Sequence, residues 1–227
     1  MRRMLGGLFH RLLPVFARGR ENARILAYGH GQARSIRALR SVDGSGNPLP
    51  WYTYPAIEYL SQFDWRSASI FEFGAGYSSF FWAARAARVE AVESDPRWHA
   101  ELSVNPVPRL TIHLRTEKEP YLSCLSEQGI GFDLIVIDGR WRRSCARLAP
   151  GHLSEGGIIV MDNTDWYPHT VRDLRAAGFW QVDFSGFGPV NGFTWTTSIF
   201  LGPDRRWQEK LADPVPVGGI RQHAVDD

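Results

Sequence analysis

The chain has 227 residues, 44% of them hydrophobic and 22% charged, which suits one α/β domain with a buried core and some peripheral additions. Twenty-six basic against 24 acidic residues leave a net charge of +2, too little to argue for nucleic acid as an obligate partner. The two cysteines, Cys124 and Cys145, have neither a disulfide framework nor metal-ligand spacing and read as reduced thiols of a cytoplasmic protein.

In chain order, the basic opening MRRMLGGLFHRLLPVFARGR comes first. His10, Arg11 and Pro14 break its apolar run, so neither a signal-peptide core nor a membrane span survives. Contact with an anionic membrane surface is one reading of this amphipathic segment; a helix packed on its own domain, or a mobile terminus, is the other. The turn-rich SVDGSGNPLP, residues 41–50, separates an N-terminal helical cap (1–49) from a main body (50–203), and ADPVPVGG marks an irregular tail (204–227). WYTYPAIEYLSQF sets Ala56, Ile57, Tyr59, Leu60 and Phe63 at helical spacing.

An alternation follows. SIFEF, RVEAVES, RLTIHLR, FDLIVID (132–138) and GGIIVMD (156–162) read as strands. SSFFWAARAA, PRWHAELSV, residues 141–154 and PHTVRDLRAAG read as helices, the last stopping at Gly178. WQVDFSG and FTWTTSIFL close the body as an antiparallel pair. Strands alternating with helices predict a doubly wound, mostly parallel sheet with ligands at the carboxyl ends of its strands.

IFEFGAGYSS, residues 70–79, is a strand that breaks on Gly74 and Gly76 before a helix. A dinucleotide fold wants a third glycine for close helix–strand packing, and here that position is Ser79. Two residues before the first glycine stands Glu72, whose carboxylate repels a pyrophosphate but suits a ligand carrying an ammonium and a sulfonium, such as S-adenosylmethionine. Seventeen residues after Gly76, Glu93 ends the second strand, placed to accept hydrogen bonds from both ribose hydroxyls.

E-F-G-A-G-Y-S-S followed by V-E-S-D-P resembles motif I and the acidic second-strand motif of class I S-adenosylmethionine-dependent methyltransferases, over about Pro50 to Leu201. The resemblance implies a Rossmann-like seven-stranded sheet with an antiparallel last strand. It gives Glu72, Gly74, Ala75, Gly76 and Ser78 to the methionine end of the cofactor and Glu93 to its ribose, with Glu117 a candidate for adenine.

A second constellation ends the fourth and fifth strands: Asp138 in FDLIVIDGRWRR, and Asp162 with Asn163 in GGIIVMDNTDW. Two carboxylates and an amide oxygen are hard ligands, suited to Mg²⁺ or another divalent cation. The set resembles that of cation-dependent O-methyltransferases of the catechol and caffeoyl-CoA type, where a metal lowers a hydroxyl's pKa and orients it. The lysine those enzymes carry three residues after the first Asp is Trp141 here, among Arg140, Arg142 and Arg143. The bland alternative makes Asp138 a helix cap and Asp162-Asn163 an Asx turn. Asp138 and Arg140 are the catalytic candidates, Arg140 as the partner of an anionic group on the acceptor. Trp141, Trp166 and His169 are candidates for a substrate wall or, equally, for ordinary packing, and Tyr52 or Tyr54 for a cofactor lid, with core packing the favoured role.

The leading expectation is an S-adenosylmethionine-dependent methyltransferase acting at oxygen on a small molecule. Nucleic acid is disfavoured because the fourth strand ends in D-G-R-W, not N/D-P-P-Y/F/W. An NAD-type oxidoreductase and a methyltransferase-like binding module without catalysis are the alternatives.

Overall fold

The apolar runs assemble into one seven-stranded sheet in a computed structural model that describes residues 14–129, 131–202 and 216–218. The strands are β1 (Ser69–Phe73), β2 (Arg88–Glu93), β3 (Leu110–Leu114), β4 (Phe132–Ile137), β5 (Leu153–Met161), β6 (Trp180–Gly186) and β7 (Trp195–Leu201). Their order is β3-β2-β1-β4-β5-β7-β6, with β7 antiparallel to both neighbours and every other pairing parallel. This is the Rossmann-like α/β architecture expected from the sequence. Strand order reverses between β1 and β4, which opens a crevice at their carboxyl ends.

Strand alternation sorts the core into two layers. On one face Ile70, Leu134, Val136, Val160 and Ile199 pack with α3 (Tyr54–Leu60) and α4 (Tyr77–Ala83), around the fully buried Trp65 and Trp82. On the other, Phe71, Phe73, Ile135, Ile137, Ile159 and Met161 meet α6 (Lys118–Glu127), α7 (Arg142–Leu148) and α8 (Pro168–Ala176). Each such side chain contributes roughly 1.5–3 kcal/mol by leaving water. α5 (Pro96–Leu102) starts where Asp95 accepts from the backbone N–H groups of Arg97 (2.7 Å) and Trp98 (3.2 Å), with Pro96 in the first turn.

Three local differences have plain causes. The sequence pattern gave no element between the third and fourth strands, yet α6 lies there, because parallel β-strands need a crossover. Its Pro120 and its mixed surface hid the helical period. The helix expected over 141–154 stops at Leu148 and tightens into a 3₁₀ turn, Ala149–His152, around Pro150. β5 begins at Leu153, three residues before Gly156.

At the N-terminal side, residues 14–24 are helical (α1) and pass through a π-helical turn, Ile25–Gly29, to α2 (Gln32–Ala38). The membrane-contact reading concerns residues 1–20, of which 1–13 lie outside the described residues. Residue 203 and most of the expected tail, 204–215 and 219–227, also lie outside them; Val217 N–H donates to Glu58 Oε1 at 3.0 Å. No described helix is long and apolar enough to cross a membrane. Both cysteines are buried and unpaired, and burial pushes their thiols up to about 11 (Cys124) and about 12 (Cys145).

Candidate functional site

The glycine turn leaves β1 at Gly74, whose φ of +97° is a left-handed conformation. A Cβ there would meet Gly139 Cα and N at 2.5 Å, so the tips of β1 and β4 cross where only glycine fits. Gly76 is different. Its backbone is extended, and a Cβ would meet only Ser78 Oγ at 3.6 Å. The packing of the protein itself thus leaves room for a side chain at 76.

Glu72 is fully buried behind this turn. Its Oε2 accepts a hydrogen bond from Ser79 Oγ, and Ser79 Oγ in turn accepts the Gly76 N–H at 3.0 Å. Burial pushes Glu72 up to about 8, with the nearby Ser78 and Ser79 hydroxyls offsetting part of the shift and the Asp138 charge adding to it. Its other oxygen, Oε1, has no partner, nor do the buried Tyr52 hydroxyl and Trp82 Nε1. Ser79→Ala is therefore expected to cost about 1–3 kcal/mol, as it orphans two polar groups. A fall in the urea midpoint at unchanged slope checks this.

In front of the turn lies a cavity of about 270 Å³, bounded by Gly74–Ser78, Glu93, Asp138 and Gly139. Its volume is near the lower end of small-molecule sites, roughly 300–1,000 Å³. Glu93 is held by the backbone N–H groups of Ser94 (2.6 Å) and Asp95 (2.7 Å), both to Oε1, so the carboxylate is fixed at the rim. Of the residues expected at the methionine end, Gly74, Ala75, Gly76 and Ser78 line this cavity. Glu72 does not; it sits one layer deeper and reaches the cavity through Ser79 and the Gly76 amide.

The cavity is also lined by residues that sequence reasoning missed: Leu39, Arg40 and Ser41 of the cap, and Trp51 just after it. Trp98, also missed, lines it and donates from Nε1 to Ala75 O at 2.8 Å. Tyr52 and Tyr54, read from the sequence as core residues in preference to a cofactor lid, are buried, Tyr52 completely, and the half-exposed neighbour Trp51 is the one that lines the cavity. Glu117 is exposed at the start of α6, away from the cavity-lining residues.

At the tips of β4 and β5, Asp138, Asp162 and Asn163 do converge, but on a guanidinium. Arg142 donates to Asp138 Oδ1 (2.7 Å), Asp138 O (2.9 Å), Gly139 O (3.1 Å), Asp162 O (2.6 Å) and Asn163 Oδ1 (3.0 Å). The Asp162 carboxylate takes the Trp195 indole N–H at 2.9 Å and the Thr197 hydroxyl, both on Oδ1. Burial raises Asp162 well above the usual carboxylate range, and the Asp138 charge adds to that. Burial raises Asp138 too, against the pull of Arg142. Among the described residues no group of three acidic, histidine or cysteine side chains is arranged to hold a metal ion. The ligand set that the cation-dependent resemblance implied thus does not fit a metal: two of its three members bind a cation that the chain itself supplies.

Arg140, the arginine singled out from the sequence, is exposed and lies over the Trp141 ring at 5.0 Å. Trp141 packs on Tyr121 at 5.2 Å, and His169 is exposed at the start of α8. Trp166 is 54% exposed and Phe193 is 50% exposed. They neighbour each other at 6.3 Å, and Phe193 continues to Trp195 at 5.9 Å. An aromatic row thus leads from the Asp162 carboxylate to solvent. The loop carrying Phe193 is tied down by Gln32 Nε2, which donates to Gly188 O (2.9 Å) and Asn191 O (3.1 Å).

No protein-family model and no curated protein matches this sequence. Solved structures match it in shape. A fibrillarin pre-rRNA processing protein from Methanococcus jannaschii is 16% identical, with 69% of this chain and 78% of that one covered at a TM-score of 0.52. A precorrin-6y C5,15-methyltransferase from Geobacter metallireducens GS-15 is 14% identical, with 70% and 92% covered at a TM-score of 0.50. At such identities the likeness concerns the fold. Together with the strand order and the antiparallel β7, it shows that the chain has the Rossmann-like α/β fold that these solved structures share.

Proposed function

We propose that this chain is an S-adenosylmethionine-dependent methyltransferase that methylates a small-molecule acceptor at oxygen. The observation that carries this reading is the single cavity onto which the glycine turn, Glu93 and Asp138 converge. In the proposal Glu93 accepts from the ribose hydroxyls through the oxygen it does not use for Ser94 and Asp95. The backbone of Gly74–Ser78 flanks the methionine part, and Trp98 and Trp51 wall the cavity. Such a cofactor supplies an electrophilic methyl group on a positively charged sulfur.

The chain's own task is to align an acceptor oxygen with that methyl and to take up its proton. Asp138 is the carboxylate at the cavity floor, 20% exposed at its side chain, and is assigned the proton. A bound S-adenosylmethionine would supply the methyl group and keep the sulfur as the leaving group, and Asp138 would take up the proton that the acceptor hydroxyl gives up. Arg140, exposed two residues after Asp138, is the partner for an anionic group on the acceptor, and the row Trp166–Phe193–Trp195, its rings tilted and edge-on to one another, an apolar wall for it. The net charge of +2 supports a small acceptor over a nucleic acid.

Calorimetry with S-adenosylhomocysteine and with NADH separates the two cofactor classes. Heat with the first and none with the second is expected; the reverse would overturn the reading in favour of an oxidoreductase. A labelled-methyl assay then compares hydroxylated metabolites with bulk RNA, and label in RNA alone would reject the small-molecule acceptor. Cofactor binding with no acceptor labelled in either pool is the outcome expected of a binding module.

A further inference from the structure

We infer that Arg142 has taken the place of the divalent cation between the β4 and β5 tips, so that this site works without a metal and cannot chelate its acceptor. A guanidinium carries five N–H donors and no acceptor. All five are spent on the protein: Nε on Gly139 O, Nη1 on Asp162 O and Asn163 Oδ1, and Nη2 on Asp138 O and Oδ1. The side chain is only 11% exposed, and its planar group also lies 4.9 Å from the centre of the Tyr167 ring.

A metal in this place would keep open positions for substrate oxygens. The saturated guanidinium keeps none. It delivers a fixed positive charge to Asp138 but has no bond to offer a ligand. The backbone is shaped for this arrangement: Trp141 (φ 52°) and Asn163 (φ 56°) both adopt left-handed conformations, one directly before Arg142 and the other presenting Oδ1 to it. The Asp162 carboxylate, the strongest remaining ligand, is engaged by Trp195 and Thr197. A divalent ion would have to displace a buried, fivefold-bonded arginine before meeting its first oxygen.

The consequence for the acceptor rests on the methyltransferase reading above. Vicinal oxygens gripped by two bonds to a metal have no counterpart here, so the acceptor presents one nucleophilic oxygen, oriented by the walls of the site. The absence of a metal rests on the geometry alone.

The test uses the full chain and Mn²⁺ as probe, followed by electron paramagnetic resonance at millimolar metal. The wild type is expected to leave the free-Mn²⁺ signal unchanged, and its Tm is expected to be indifferent to Mn²⁺ and to EDTA. Bound Mn²⁺ that disappears in Asp138→Asn or Asp162→Asn would overturn the inference. Arg142→Ala strands an uncompensated acid cluster, and its Tm is expected to fall by about 6–15 °C. Arg142→Lys keeps the charge but offers three donors from one nitrogen, so it should recover less than half of the loss. An Arg142→Ala protein as stable as the parent would equally overturn the inference. S-adenosylhomocysteine is titrated in parallel: if it fails to bind the wild type, the methyltransferase reading falls while the Mn²⁺ result still decides the role of Arg142.

Discussion

Gly76→Ala is expected to fold as stably as the parent and to bind S-adenosylhomocysteine about 10- to 100-fold more weakly. Gly74→Ala, two residues earlier, is expected to lose about 3–5 kcal/mol of stability. The contrast follows from what a Cβ meets at each place. At Gly74 it meets the Gly139 backbone at 2.5 Å from a left-handed φ of +97°, and neither strand tip can retreat because each is hydrogen-bonded into the sheet. At Gly76 the backbone is extended, the nearest atom is Ser78 Oγ at 3.6 Å, and the added carbon enters the space the ligand should use. Urea unfolding and calorimetry on the two proteins give four numbers. Equal affinity in Gly76→Ala and wild type would remove the cofactor from this turn.

The second large effect concerns Glu72, raised to about 8 by burial. In the unfolded chain this acid loses its proton near the ordinary glutamate value of about 4.3. Between those values the folded state binds more protons than the unfolded one. Stability therefore falls as pH rises across that window and levels off above about 8, a span worth on the order of 4–5 kcal/mol. Glu72→Gln keeps the amide-sized shape and an acceptor for Ser79 but cannot ionise. Relative to the parent it is expected to gain stability steadily from pH 5 to pH 8; a constant difference across pH would refute the assignment.

On the methyltransferase reading proposed above, the same buried acid couples pH to the charge of the cofactor. A sulfonium in the cavity favours the ionised form of Glu72, so preference for S-adenosylmethionine over its neutral-sulfur product should rise about tenfold towards pH 8. Glu72→Gln should abolish that rise, and calorimetry with both ligands at three pH values measures it. The Tyr52 hydroxyl and Trp82 Nε1 are buried in the same core without a hydrogen-bond partner, and Tyr52 feels the Glu72 charge.

How much of this was legible in the residues varies with the kind of constraint. The strands were legible because an apolar run between turns has few other ways to satisfy its backbone. The acids at their ends were legible because a parallel sheet puts successive carboxyl ends on one edge. Gly74 and Gly76 stood out as a pair, but nothing in the sequence told them apart: one is required by the Gly139 crossing and the other is open to the cavity. Glu72 was found but placed one layer too far forward, since strand alternation turns its side chain into the α4 face towards Ser79.

The choice among three neighbouring arginines illustrates the limit. Arg140, adjacent to the glycine after Asp138, was singled out as the partner of an anionic group on the acceptor, and nothing in the sequence marked Arg142 as the partner of the strand-end acids. The left-handed turn at Trp141 swings the chain so that Arg142, not Arg140, enters the space between β4 and β5. Trp51, Trp98 and Ser41 likewise reach the cavity only because α5 and the cap pack against the sheet edge.

The sequence by itself determined the sheet and the edge along which its strand-end acids gather, since periodicity and turn chemistry are local and each residue reports its own neighbourhood. Only the tertiary structure decided which cation those acids meet and which side chains wall the cavity. Those contacts join residues far apart in the chain, and a rotation of one turn, as at Trp141, exchanges one side chain for another without altering any motif.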